Sequence, residues 1–525
     1  MLSNRYVSLY EPFSPRVRSL FMNILLLYPE YPDTFWSFSY ALKFTSKKAA
    51  YPPLGLLTVA AMLPPEWDKR LLDMNVQKLE DKDLLWADYL FLSAMSIQKE
   101  SVKAVLVRCR ELGVKVVAGG PLFSNDYEEF GHVDHLVLHE AEITLQPFLN
   151  DLREGRPKHL YTTEEKADVT KTPVPLWELI HMHHYSSMNI QYSRGCPFGC
   201  DFCNITSLYG RIPRTKESMQ IIAELEKIYS LGWREGVFFV DDNFIGNKKK
   251  LKQTILPSLI QWMEERKRPF YFSTEASINL SDDEELMSMM AQAEFLTVFV
   301  GIETPHDESL IECAKSQNRN RDLIASVKKI QDFGLEVQAG FIVGFDQDPA
   351  SIFEKMITFI QESGIVTAMV GLLNAPRGTK LYERLVTENR LLKTSTGDNT
   401  DLSMNFIPKM SYETLINGYR QIIETIYSPK NYYARIRQFM KDYQPMQQKV
   451  VQMRYSYWKA GLKSVFILGL LGKERCYYWR LVFWSLFRKP KLLPMAVTFS
   501  IYGFHFRKIF EKHFRRMDRE HWAQT

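Results

Sequence analysis

Short apolar runs recur along this chain and alternate with stretches whose apolar positions return every three or four residues. Between 22 and 152 the runs Asn23–Tyr28, 70–74, Tyr89–Ser93, 115–118 and 135–138 predict strands separated by helices. That rhythm is the one of a doubly wound, Rossmann-like parallel sheet in an α/β protein. A second series begins at Met188 and runs through 188–192, 236–240, 270–274, 297–302, Glu336–Val343 and 366–372, with helices over 218–231 and 320–333. Six such βα units predict a partial TIM-type (β/α)6 barrel. The stretch 153–187 is polar and Pro-containing and reads as a linker whose Trp177 packs against a neighbour, and 381–525 reads as a helical extension. The expected division is therefore 22–152, 153–187, 188–380 and 381–525. Residues 1–21 carry no periodic pattern and read as a disordered leader or as untranslated, with Met22 as the start.

Ligands of such sheets, and the active residues of such barrels, lie beyond the carboxyl ends of the strands. In the first sheet those ends read Asp73-Met-Asn75, Ser93-Ala-Met95-Ser-Ile-Gln98, Gly119-Gly120-Pro121 and His139-Glu140. Small residues at successive ends suit a large flat ligand lying close to backbone. No Gly-x-Gly-x-x-Gly is present to specify a dinucleotide. In the second series the ends read Asp241-Asp242-Asn243, Glu275, Glu303-Thr304 and Gly344-Phe-Asp346. A single acidic residue at a strand end is an ordinary cap. Polar groups after four strands that share one mouth predict a site.

Composition adds a bound and an asymmetry. A length of 525 residues with 46% hydrophobic and 24% charged content describes a globular chain of two or three domains. The net charge of +5 conceals a basic tail: residues 430–525 hold 20 Lys/Arg against 5 Asp/Glu. Six cysteines make no disulfide framework, but three of them, Cys196, Cys200 and Cys203, share one Gly/Pro loop. Cys-x3-Cys-x2-Cys supplies a cubane iron–sulfur cluster with three thiolates and leaves one iron open to a substrate. No fourth Cys or His follows at the spacing of a structural zinc site. Cys109, Cys313 and Cys476 stand singly and read as buried thiols. Thiols gathered for a metal point to a reducing, cytoplasmic setting.

With these residues in view, the chain resembles the cobalamin-binding radical S-adenosylmethionine (SAM) enzymes. The subgroup is the one holding hopanoid C-2 methylases and relatives with a shared C-terminal extension. The resemblance spans Met22 to about Arg516. It rests on Tyr192-Ser-Arg-Gly-Cys-Pro-Phe-Gly-Cys-Asp-Phe-Cys203, 239–247, 273–279, 300–305 and 339–344. It implies that Cys196, Cys200 and Cys203 bind a 4Fe–4S cluster whose open iron takes the amino and carboxylate groups of SAM. It puts Asp241, Asp242 and Asn243 at the SAM ammonium, where an acidic group gains a charge-assisted bond. Glu275 and Glu303 fall at the ribose hydroxyls, and the backbone of Gly340, Ile342 and Gly344 at the adenine. The family pattern after the fifth strand ends in Glu, whereas Gln347 stands here.

For the first domain the resemblance implies cobalamin without a His ligand. Asn75 occupies the place of the His in the missing Asp-x-His-x-x-Gly, and Ser93, Met95, Gly119 and Gly120 lie against the corrinoid. The implied chemistry is reductive SAM cleavage fed by a flavodoxin- or ferredoxin-type donor. A radical SAM methyltransferase acting on an unactivated carbon of a small, hydrophobic, lipid- or hopanoid-like substrate follows. Rearrangement, cyclisation or carbon–carbon coupling is the first alternative. A corrinoid-binding sensor or scaffold is the second.

In the tail, 477–489 and 501–510 interleave basic and aromatic residues at helical spacing. This pattern fits peripheral attachment to the inner, anionic face of a membrane and equally fits helices whose aromatics are core. Nucleic acid ranks last, because no binding module is present. The longest apolar stretch, 492–506, falls short of the roughly 18 residues that span a bilayer.

Overall fold

The computed structural model describes residues 21–392, 395–398, 400–444 and 455–522. The expected leader lies outside the described residues apart from Phe21. Six parallel strands form the first sheet: β1 (Asn23–Tyr28), β2 (Asp68–Asp73), β3 (Tyr89–Ser93), β4 (Lys115–Gly119), β5 (His135–Val137) and β6 (Leu160–Tyr161). Their order is β2-β1-β3-β4-β5-β6, so the direction of winding reverses between β1 and β3. Alternation along β1 explains why both faces are covered. Leu25 and Leu27 enter a core with Val102, Val105 and Leu106, while Ile24 and Leu26 enter another with Leu56, Leu145 and Phe148. The last strand, β6, is two residues long and sits inside the expected linker. Trp177, later in that stretch, is fully buried.

The second sheet is the expected partial barrel. It comprises β7 (Met188–Ile190), β10 (Gly236–Phe239), β11 (Tyr271–Glu275), β12 (Phe295–Glu303), β13 (Glu336–Val343) and β14 (Ala368–Leu372), with β7 and β14 at its edges. All neighbours pair in parallel. Between β7 and β10 an antiparallel pair, β8 (Ser193–Arg194) and β9 (Arg214–Thr215), pinches the root of the cysteine loop.

An open barrel leaves a strand edge with unpaired carbonyls, and the extension covers it. Tyr427 Oη donates to Ala368 O at 2.7 Å and Tyr419 Oη to Val370 O at 3.0 Å. Arg435, wholly buried, donates to Val366 O at 3.3 Å and Ile426 O at 2.9 Å. The rings of Tyr427 and Tyr432 lie 5.8 and 5.3 Å from its guanidinium. Helix Leu493–Trp522 packs behind Tyr427, with Phe506 5.3 Å from that ring and stacked on Phe35 at 4.1 Å.

The core reading of the tail holds for one part of it. Tyr432, Phe499 and Phe506 are core, whereas Trp458, Phe466, Phe483 and Phe487 are exposed. Cys109 and Cys313 are buried as expected. Cys476 is not: it lies on the outward side of helix Arg475–Arg488, opposite the face that carries Tyr478 and Leu481 into the core. Among the described residues no helix is long and apolar enough to cross a membrane.

Gly503 faces the ring of Tyr432, whose hydroxyl is pinned to Phe499 O at 2.8 Å. Gly503→Ala should lower stability by about 1–3 kcal/mol through overpacking, read as a shift in the urea midpoint. Gly461→Ala, with nothing within 4 Å of the new methyl, should leave that midpoint unchanged or raise it.

Candidate active site

The cysteine loop begins where β8 ends. Gly195 has φ +95°, and a Cβ there would lie 2.9 Å from Gly210 O and 3.0 Å from Ile212 O, so only glycine passes. Cys196, Cys200 and Cys203 are half-buried. Asp201 ties the loop on two sides: its N–H donates to Cys313 O at 3.0 Å and its carbonyl accepts from Leu381 N at 2.9 Å. Two amides reach the thiols, Asn243 Nδ2 at 3.9 Å from Cys196 Sγ and Gln317 Nε2 at 3.8 Å from Cys200 Sγ. Burial raises the Cys196 thiol and pushes Cys203 up to about 12. Metal binding there must release protons. Among the described residues no three His, Cys, Asp or Glu side chains surround one ion. A cubane asks something else of its ligands, namely that each thiolate meet its own iron. Three half-buried thiols on a backbone-locked loop, with amide donors to two sulfurs, fit that demand.

The acidic residues take different places. Asp241 is buried at the end of β10 and accepts from Tyr192 N at 3.1 Å, from Ser193 Oγ at 2.6 Å and from Ser193 N. Its carboxylate thus holds the root of the cysteine loop. Asp242 accepts from Gly195 N at 3.3 Å, and Asn243 Oδ1 accepts from Ser277 N at 3.2 Å. Burial raises Asp241 to about 7 and Asp242 to about 6 against their backbone donors. Glu275, at the end of β11, rises to about 8, first by burial and then by the charges of Asp242 and Asp241.

Glu303 has φ +64° and pairs with Lys315 Nζ at 2.7 Å. Lys315 is half-buried, and the pull of Glu303 and of Cys200 outweighs its desolvation and raises it. Neither Lys315 nor Gln317 was signalled by the sequence, since both lie in a loop without a motif, more than a hundred residues past the cysteines. On β13, a Cβ at Gly340 would meet the Phe299 ring at 2.9 Å, and Ile342 is half-buried. Gly344 has φ +106° and its N–H donates to Asp348 Oδ2 at 2.8 Å. Of the turn's two carboxylates, Asp348 accepts from the backbone of Gly344 and Phe345, whereas Asp346 pairs with Arg390 at 2.7 Å.

The rim of the first sheet gathers the other expected residues. Asn75 is engaged throughout: Oδ1 accepts from Tyr31 N at 3.0 Å, and Nδ2 donates to Asp73 Oδ1 at 2.7 Å and Pro29 O at 3.2 Å. Gln98 Nε2 donates to the same Pro29 carbonyl at 2.6 Å, and its Oε1 accepts from Met95 N at 2.8 Å. Met95 is exposed on this rim. Ser93, Gly119 and Gly120 lie beside it: Gly120 has φ +89° and abuts Ser93 Oγ, while a Cβ at Gly119 would meet Val137 O at 2.6 Å. The result is a bare backbone shelf at the winding reversal, which fits a flat macrocycle.

A buried ion network joins the two rims. Arg194, two residues before Cys196, donates to Glu140 at 2.9 Å and Glu142 at 2.8 Å, and Arg214 donates to Glu140 at 2.8 Å. Burial would raise Glu142, but Arg194 overrides it and holds that carboxyl at about 2. Asp73 adds a link by accepting from Tyr185 Oη at 3.0 Å. A cavity of about 310 Å³ lies elsewhere, along β2 between Arg70, Trp86 and Leu179, and plays no part in this site.

Comparison with known proteins agrees with this fold. The chain matches the B12 binding domain over 45–149, the Radical SAM superfamily over 190–360 and a domain of unknown function (DUF4070) over 379–519. It is 39% identical to an uncharacterized methyltransferase of Synechocystis sp., over 92% of this chain and 91% of that protein. It is 32% identical to the hopanoid C-2 methylase of Rhodopseudomonas palustris, over 90% and 92%. The cobalamin-dependent SAM radical enzyme OxsB superposes with a TM-score of 0.59 at 16% identity, covering 96% of this chain and 81% of that one. The SAM methyltransferase TsrM from Kitasatospora setae gives 0.53 at 13%, covering 76% and 85%. At such identities these two structures bear on the fold alone.

Anaerobic reconstitution of Cys200→Ser should lose most of the iron and acid-labile sulfide bound by the parent, while the far-ultraviolet dichroism stays unchanged. The cluster-free chain should also lose stability as pH rises from about 4.5 through about 8. Folded Glu275 holds its proton above the unfolded value of 4.5, so its contribution is full below that pH and gone above about 8. Glu275→Gln should flatten that part of the profile of unfolding midpoint against pH.

Proposed function

This chain belongs to the cobalamin-binding radical SAM enzymes that include hopanoid C-2 methylase, and on that footing we propose that it methylates an unactivated carbon of a hydrophobic, lipid-like small molecule. The family's cofactor set is a 4Fe–4S cluster, SAM and cobalamin. When bound, these supply one-electron cleavage of SAM and a transferable methyl group.

The chain's own part is to hold, orient and exclude water. Cys196, Cys200 and Cys203 are the cluster ligands in this reading. Asn243 and Gln317 donate to sulfur, and Lys315 adds a positive charge, all of which tune a cluster from outside its ligand set. Asp242 takes the SAM ammonium and Glu275 a ribose hydroxyl, Asp241 positions the loop beneath them, and the Gly340–Gly344 backbone borders the adenine. Glu303 orients Lys315 with one oxygen and keeps the other for a ribose hydroxyl. Asn75 shapes the corrinoid shelf with its polar atoms already committed, so its contribution is surface and not ligation. Ser93, Met95, Gly119 and Gly120 form the rest of that shelf. The same reading keeps the division 22–152, 153–187, 188–380 and 381–525. It also takes a flavodoxin- or ferredoxin-type electron donor as partner and a cytoplasmic setting at the membrane's inner face.

One observation carries the proposal: the Arg194 network joins the cluster loop to the end of the corrinoid-type sheet, so two strand-end rims meet at one place. Reconstituted enzyme given SAM labelled in its methyl group and a membrane lipid extract should place label in one hydrophobic product and release 5′-deoxyadenosine. Cys200→Ser should abolish both. An unlabelled, altered product would make the enzyme a rearranging or coupling one instead.

A further inference from the structure

We infer that the outward face of the helix pair 455–470 and Arg475–Arg488 is a docking surface for an anionic lipid bilayer. The first helix runs from Tyr455–Ser464 into Val465–Leu470 and buries Ala460, Ser464 and Leu468 against the protein. The second buries Tyr478, Leu481 and Ser485. Each helix thus satisfies the core with one face, and what remains outside should be polar. It is not. Trp458, Leu462, Phe466 and Leu470 recur every fourth residue on the outside of the first helix, with Leu462 72% exposed.

The stripe continues onto the second helix. Trp479 Nε1 donates to Gly469 O at 2.9 Å, next to Leu470, and Phe483 stacks on Trp479 at 5.4 Å. One turn on, Phe487 is 79% exposed. A contiguous exposed apolar surface of this kind marks an interaction site.

Charge selects the partner. Residues 455–492 hold eight Lys/Arg and one acid, Glu474, which is buried and paired with Arg507 at 2.6 Å. Lys459, Lys473, Arg475, Arg480, Arg488 and Lys491 have no carboxylate partner among the described residues. A second copy of this face would bring like charges together. An anionic bilayer takes the apolar stripe into its interface and the bases at its headgroups. The surface deepens the proposed function, on which it rests only for the lipid-like class of substrate.

The full chain should co-sediment with vesicles of equimolar phosphatidylglycerol and phosphatidylcholine, and less with pure phosphatidylcholine or at raised salt. Leu462→Glu with Phe487→Glu should weaken binding by about tenfold or more, with dichroism and monomeric state unchanged. Arg480→Glu with Arg488→Glu should weaken it only on the anionic vesicles. Absence of binding by the parent, equal binding by the variants, or a stable dimer that the apolar variant dissociates would each overturn the inference. The assay contains neither SAM nor substrate, so its failure leaves methyl transfer standing. A failed labelling experiment equally leaves the vesicle result intact.

Discussion

Arg194 is held by two carboxylates with only 13% of its side chain exposed, and the geometry of the whole site hangs from that contact. Removing one partner of a buried pair typically costs about 3–5 kcal/mol, because the survivor is left charged and desolvated. Here the survivor would be Glu142, at the amino end of helix Ala141–Arg153, since Glu140 keeps Arg214. Arg194 stands immediately before Gly195 and Cys196. Arg194 thus ties the end of the first sheet to the root of the cysteine loop. Arg214, which also binds Ala167 O, extends the same grip to the far side of the loop.

A concentration of buried acid lies beside that joint. Asp241, Asp242 and Glu275 all have their carboxyls pushed upward, chiefly by burial, and the charge of Asp242 adds to the rise of Asp241 and Glu275. Without a cation nearby, proton uptake relieves that repulsion. A ligand carrying sulfonium and ammonium charge offers the same relief without protons, so the local electrostatics favour such a ligand before any specific hydrogen bond is considered. Asp241 shares in this field although its oxygens face the backbone of Tyr192 and Ser193.

The parts of this protein that could be read from the chain were those written locally. Ile24–Leu27 announces a strand because each of its side chains has a core to enter, and Cys196, Cys200 and Cys203 announce a cluster because one short loop gathers three thiolates and no fourth ligand. The rule that places function at carboxyl ends singled out the strand-end acids as candidates. What stayed hidden depended on distant partners. Nothing near Lys315 says that it pairs with Glu303 and lies by Cys200. Nothing near Asn75 says that Tyr31, Pro29 and Asp73 occupy all of its polar atoms. The two-residue strands β6, β8 and β9 are too short to carry a pattern, and the exposure of Cys476 depends on which side of its helix meets the core. The aromatic tail was ambiguous for a physical reason: its helices are apolar on both sides, and periodicity alone cannot tell which side faces inward.

The hydroxyls of Tyr419 and Tyr427 and the guanidinium of Arg435 dock on carbonyls of β14 and the segment just before it, where further strands would otherwise close a cylinder. A lid made of side chains, unlike one made of backbone, imposes no register on what it covers. The helices bearing it can drift in sequence on their far side while those polar atoms keep their posts. The outer wall of this enzyme is thus free to be rewritten for a new environment with the radical chamber left as it is.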